Sequence, residues 1–128
     1  MVNPCWINCW QRVVMQKSNQ DLPVFVKWID FLEWLLPVTE RFPKRVRFSF
    51  SERINQLALD IVEDLVEARY SNNKREILRR ANLRLEKLRV LLRISNKQKF
   101  LDYKRYEYAM QEINQVGKML GGWLKQQQ

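Results

Sequence analysis

The residues with the clearest chemical capacity in this chain are arginines. Between positions 71 and 96 stand Lys74, Arg75, Arg79, Arg80, Arg84, Lys87, Arg89 and Arg93 against Glu76 and Glu86, a net of +6. Six of the eight cations are arginine. A planar guanidinium fork can hold two phosphate oxygens at once, which a lysine ammonium cannot. The preceding segment, 51–70, has the opposite sign: Glu52, Asp60, Glu63, Asp64 and Glu67 against Arg53 and Arg69, a net of −3. Those acids could pair with some of the arginines and leave them as solvated flanks of a packed helix. The cationic surplus exceeds what they can cancel, so the pattern points to a stripe for a polyanion. At helical pitch, Arg80, Arg84 and Lys87 fall on one flank of the apolar stripe, and Arg75, Arg79, Arg89 and Arg93 on the other. Neutralising about five phosphates would give a log–log salt slope of about −4 on duplex. No base-reading pattern is visible, so such binding would follow shape and backbone.

A second cationic group lies in FPKRVRF at 42–48, where Lys44, Arg45 and Arg47 stand among apolar residues. Pro43 should stop a helix, because the residue before a proline avoids helical dihedrals. SFSE at 49–52 has the form of a capping box that starts the next helix, with Ser49 taking the Glu52 amide. The stretch is therefore a helix corner, with Phe42, Phe48 and Phe50 plugging the end of the core and Lys44, Arg45 and Arg47 at its rim as candidate nucleic-acid contacts. The net charge of +9 over 128 residues agrees with an RNA, DNA or acidic partner.

Catalysis is disfavoured. The chain has no histidine, which removes the commonest general base. It has no glycine-rich phosphate loop and no nucleophile elbow. Asp60, Asp64 and Glu67 have a spacing that suits metal ligands on a helix, but they lack the histidines of a di-metal bundle and are expected to flank the core. Cys5 and Cys9, four apart, make neither a C-x-x-C pair nor a zinc set without histidine partners, so no cofactor and no metal are expected. The apolar run FVKWIDFLEWLLPV at 25–38 is interrupted by Lys27, Asp30 and Glu33, which argues against a membrane span. The N-terminus does not have the form of a signal peptide, and reduced thiols suit a cytoplasmic protein.

Four helices must position these groups. The first is expected over about 21–42, with Phe25, Trp28, Leu32, Leu35, Thr39 and Phe42 as its seam and Pro37 kinking its wet face. The second starts near Ser49 and buries Ile54, Ala58, Ile61, Leu65 and Ala68. The third follows SNN at 71–73, with Asn73 as cap, and buries Leu78, Ala81, Leu85, Leu88 and Leu92. The fourth follows SN at 95–96, with Tyr103, Tyr106, Met110, Ile113, Gly117, Leu120 and Leu124 as its stripe, and should fray at Gly121 and Gly122. Short corners between long helices imply an all-α, antiparallel up-down-up-down four-helix bundle over 21–128. Residues 1–20 form an N-terminal extension, in which Trp6, Trp10 and Val13 or Val14 could share a helix face.

Some aliphatic residues do not fit a lone bundle. Leu83 and Val90 should point away from the core, as should Leu59, Val62 and Val66, with Ile29 and Leu36 outside the first seam. Stripes seven apart on two helices suggest a contact face and a homo-oligomer. An acidic second helix meeting the basic third helix of a neighbour would close a ring.

The stretches FPKRVRF at 42–48, ERI at 52–54, LALDIVEDLVEARY at 57–70 and GKMLGGW at 117–123 resemble the Avd proteins, accessory variability determinants of diversity-generating retroelements. The resemblance covers about 21–125. A similar F-P corner occurs in a sister family, the four-helix-bundle proteins encoded in intervening sequences of 23S ribosomal RNA genes, which would imply structured-RNA binding without a polymerase. Resemblance to Avd implies a basic bundle in a homopentameric ring that binds the retroelement's reverse transcriptase and its template RNA or RNA/cDNA. That ring would support synthesis of adenine-mutagenised cDNA, with the polymerase chemistry in the partner. The N-terminal extension departs from the family pattern.

Overall fold

The computed structural model describes residues 21–127. The expected extension, with Trp6, Trp10, Cys5 and Cys9, lies outside the described residues. Among those described, there are four α-helices and no strand. They are α1 (Asp21–Glu40), α2 (Glu52–Tyr70), α3 (Lys74–Lys97) and α4 (Tyr103–Lys125). Packing runs in a closed cycle: α1 on α2, α2 on α3, α3 on α4, and α4 back on α1.

Each helix forms because its apolar residues recur every three or four positions and so share a face. In α2 that face is Ile54, Ala58, Ile61, Leu65 and Ala68, and in α3 it is Leu78, Ala81, Leu85, Leu88 and Leu92, all buried as expected. In α1 the buried set is Val24, Trp28, Phe31, Leu32, Leu35 and Val38, joined by Thr39. Phe25 of the expected seam is only half-buried, while Phe31 is fully enclosed. The Trp28 indole donates to the Ala58 carbonyl at 2.9 Å, which satisfies a buried N–H and fixes α1 on α2. Pro37 is exposed, and α1 runs through it to Glu40. The carbonyl it leaves without an amide is that of Glu33, on the exposed side where water can reach it.

The corners differ from expectation in instructive ways. After Pro43 the chain makes a 3₁₀ turn at Lys44–Val46 and a π-helical turn at Arg47–Ser51 that leads directly into α2. The Glu52 amide bonds the Arg47 carbonyl. There is thus no open N-terminus at Ser49 to cap, and the Ser49 hydroxyl bonds the Val46 carbonyl instead, at 3.4 Å. Asn73 does precede α3, but its side chain makes no capping bond. Lys74 closes that corner by donating its ammonium to the carbonyls of Ala68, Arg69 and Ser71 at 2.8, 3.0 and 2.9 Å, which satisfies the end of α2.

Ser95 and Asn96 do not start the fourth helix but belong to α3, where Ser95 is fully buried. The corner follows at 98–102. Lys99 there takes a left-handed backbone (φ 67°), and Asn96 Nδ2 donates to the Leu101 carbonyl at 3.0 Å. The N-cap of α4 is Asp102, which accepts the Arg105 amide at 2.8 Å. Ile113 and Leu120 of the expected α4 stripe are buried and Tyr106, Met110 and Leu124 are half-buried against the core, but the fully buried line also takes in Ala109, Val116 and Trp123, while Tyr103 is 65% exposed. Gly121 and Gly122 do not end the helix, which continues to Lys125 because Trp123, only 1% exposed, anchors the last turn in the core.

Candidate nucleic-acid interface

The arginines of α3 divide into three environments. Arg80 and Arg84 turn toward α2 and converge on Asp64. Arg80 Nε lies 3.0 Å from Asp64 Oδ1, and Arg84 Nη1 lies 2.6 Å from the same oxygen. Arg80 also reaches Glu67 at 2.8 Å. Asp64 is 2% exposed, so it enters the core rather than flanking it as expected. A buried carboxylate needs charged partners, and two guanidinium groups supply them. The hydrogen bond from Arg80 to Asp64 is the main reason that the Arg80 guanidinium holds its proton still more firmly than usual.

Arg89 is half-buried and lies over α4, where its Nε donates to Asn114 Oδ1 at 3.1 Å and its head pairs with Glu86. Gly117 makes room for it: a Cβ there would come 3.0 Å from Arg89 Nη2. The first glycine of the GKMLGGW stretch thus leaves room beside the Arg89 guanidinium.

Arg75, Arg79, Lys87 and Arg93 are exposed and make no ion pair among the described residues. With Lys97 in the last turn, these are the outward cations of α3. Leu83 and Val90, 56% and 54% exposed, stand on the same outer side, so the expected oligomer face and the cationic face of α3 are one surface. On α2, Leu59 is exposed, but Val62 and Val66 are half-buried, and Val62 packs on the core. Between α2 and α3, Leu57, Val90 and Leu91 line a groove of about 510 Å³ with Arg53 and Lys87 at its edge.

At the end of the molecule where the first and third corners meet, Phe42 and Phe50 pack on Phe100, with ring centroids 6.0 and 5.4 Å apart. Phe48 does not join this plug. It is 81% exposed, because the π-helical turn carries it to the outside. Lys44, Arg45 and Arg47 are exposed at the rim, and the Arg45 guanidinium sits 5.3 Å over the Phe100 ring. The composition also concentrates here. Residues 41–53 hold five cations against Glu52, and residues 97–105 hold four against Asp102. Sequence reasoning found the first of these segments and missed the second. The signal was present in YKRYEYAM at 103–110, where aromatic and basic residues interleave.

No helix among the described residues is long and apolar enough to cross a membrane. No match was found among curated proteins or among solved structures. A family model described as bAvd-like matches residues 23–127, which spans all four helices and both cationic corners. The chain belongs to the bAvd-like family.

Proposed function

We propose that this protein is a non-catalytic accessory subunit of a diversity-generating retroelement, binding a reverse transcriptase and its template RNA in the cytoplasm to support mutagenic cDNA synthesis. The observation that carries this reading is the bAvd-like match over 23–127. The exposed Arg75, Arg79, Lys87 and Arg93 support it chemically, since outward cations without carboxylate partners, three of them guanidinium groups, suit phosphate.

The four helices form an up-down-up-down bundle in this reading. Supporting pairs are Lys27 with Glu112 and Trp34 with Tyr108 between α1 and α4, and Asp64 with Arg80 between α2 and α3. Copies assemble into a homo-oligomeric ring through the exposed Leu59, Leu83 and Val90, with Val62 and Val66 at the margin. Because Leu83 and Val90 share their surface with Arg79 and Arg93, RNA lies along the edge of the subunit contact.

Purification from native cells at mild salt tests the reading. The expected result is co-recovery of a reverse transcriptase and one structured RNA, with a native mass several times that of one chain. RNA without a polymerase would favour a general RNA-binding bundle. A single-chain mass with no RNA would overturn the proposal.

A further inference from the structure

Trp34 and Tyr108 end an aromatic ladder that begins in the core. Trp28 and Phe31 are both fully buried, with ring centroids 5.1 Å apart. Phe31 stacks on Trp34 at 5.6 Å, and Trp34 meets Tyr108 of α4 at 4.7 Å. Exposure rises along this ladder: Trp34 is half-buried and Tyr108 is 41% exposed. The outer two rings are thus held by packing from beneath while one side meets solvent. Together with Asp102, Lys104 and Arg105 they line a surface cleft of about 480 Å³, within the usual range for small-ligand sites.

The charges around the cleft are ordered too. Asp102 accepts the Arg105 amide and pairs with its guanidinium, which fixes that cation at the rim. Lys104 is exposed and makes no ion pair among the described residues. Lys97 ends α3 and Lys99 follows on the adjoining corner, where the Arg45 guanidinium lies over the Phe100 ring. Lys99 occupies a left-handed backbone position where glycine would be less strained, so a cation stands at this corner despite a backbone cost.

We propose that the Trp34–Tyr108 cleft binds an unpaired base of single-stranded nucleic acid, with the flanking phosphates on Lys104, Arg105, Lys99 of the 98–102 corner and Lys97 at the end of α3. A preformed aromatic surface beside a cationic track is how proteins hold single strands without reading sequence, because every base has a π-face. The aromatic cleft is built from α1 and α4 rather than from the outward arginines of α3, which suit a duplex or folded backbone. It rests on the reading that this protein handles RNA, and adds where an unpaired segment sits.

Binding of a labelled oligouridine and of a blunt RNA duplex to the full chain, followed by fluorescence anisotropy, tests this. Tyr108→Leu is expected to weaken oligouridine binding about 10-fold, the scale of one lost base stack, and to leave the duplex within about two-fold. Tyr108→Phe should bind like the parent. Irradiating bound 5-iodouridine oligomers should crosslink them to Tyr108 or Trp34. Unchanged oligouridine affinity in Tyr108→Leu, with duplex binding intact, would overturn the cleft and leave the RNA-binding reading standing. Equal loss of both ligands would overturn base stacking. A parent protein that retains neither ligand would sink both readings. A change of native mass on Tyr108→Leu would make the cleft a contact between copies and overturn the proposal.

Discussion

Arg79 and Arg80 are neighbours in sequence and differ in everything that decides function. Arg80 reaches across to α2, where Asp64 and Glu67 receive it. Arg79 faces outward and has no carboxylate partner among the described residues. The same division separates Arg84 from Arg75 and Arg93. One residue type thus serves two purposes on one helix, and the deciding variable is the angle around the helix axis relative to a single buried carboxylate. Counting arginines therefore overstates a nucleic-acid face. The inward pair compensates a charge that α2 has placed in the core, and only the outward set remains for a partner.

The sharpest way to break this comparison is to remove the carboxylate. Asp64→Ala should destabilise the fold by about 3 kcal/mol, the low end for breaking a buried ion pair, because the arginine heads retain some access to water. Urea unfolding would measure it, and a change below about 0.5 kcal/mol, the range of ordinary surface substitutions, would mean that Asp64 organises nothing. Arg84→Gln should cost less, about 1.5 kcal/mol, since Arg80 still holds the buried charge while one set of charge-assisted bonds is lost. Lys99→Gly has the opposite sign. It should stabilise the corner by about 1 kcal/mol by relieving the left-handed backbone. If the 98–102 corner carries phosphates, the same variant should also bind oligouridine more weakly.

A smaller effect concerns Asp102. The Arg105 amide that donates to it, then the Arg105 guanidinium and the nearby Lys104 charge, hold its carboxyl below the usual 3.8. A depressed carboxyl stabilises the fold above its unfolded pKa, and that contribution fades as pH falls through the folded value. Thermal melts from about pH 5 to about pH 2 should show a steeper acid loss in the parent than in Asp102→Asn, whose amide oxygen caps without titrating. Identical slopes would mean that the cap is not charge-assisted.

Much of the fold was legible because apolar periodicity reports burial directly. The stripes of α2 and α3 have no glycine, proline or aromatic ambiguity, and all ten of their expected residues are buried. The boundaries were less legible, because Ser49, Ser95 and Asn96 are cap-forming residues used for other bonds. Ser95 donates to the Leu91 carbonyl at 2.8 Å inside α3, and no local pattern distinguishes that from a cap. Gly121 and Gly122 misled for a related reason. Helix propensity is a weak local term, and burial of Trp123 one residue later outweighs it. At the candidate site, the cationic residues could be found from sequence, but their partners could not. Asp64 sits next to Leu65 in the chain, and only the rotation of α2 against α3 decides that it points inward.

The last test isolates the outward member of the comparison. Arg79→Gln removes a charge that touches no partner among the described residues, so stability should stay within about 0.5 kcal/mol of the parent. If Arg79 contacts a phosphate, the log–log salt slope for duplex RNA should become shallower by about 0.9, with affinity falling alike for unrelated sequences. Arg80→Gln should do the reverse, weakening the fold while leaving the salt slope unchanged. Should the two variants shift the slope equally, Arg80 would be shared between Asp64 and RNA. The division of α3 into an inward, structural pair and an outward, binding set would then be one of degree. Should neither shift it, the outer face of α3 would be left to Leu83 and Val90 as a contact between copies, and RNA would have to be sought at the cationic corners.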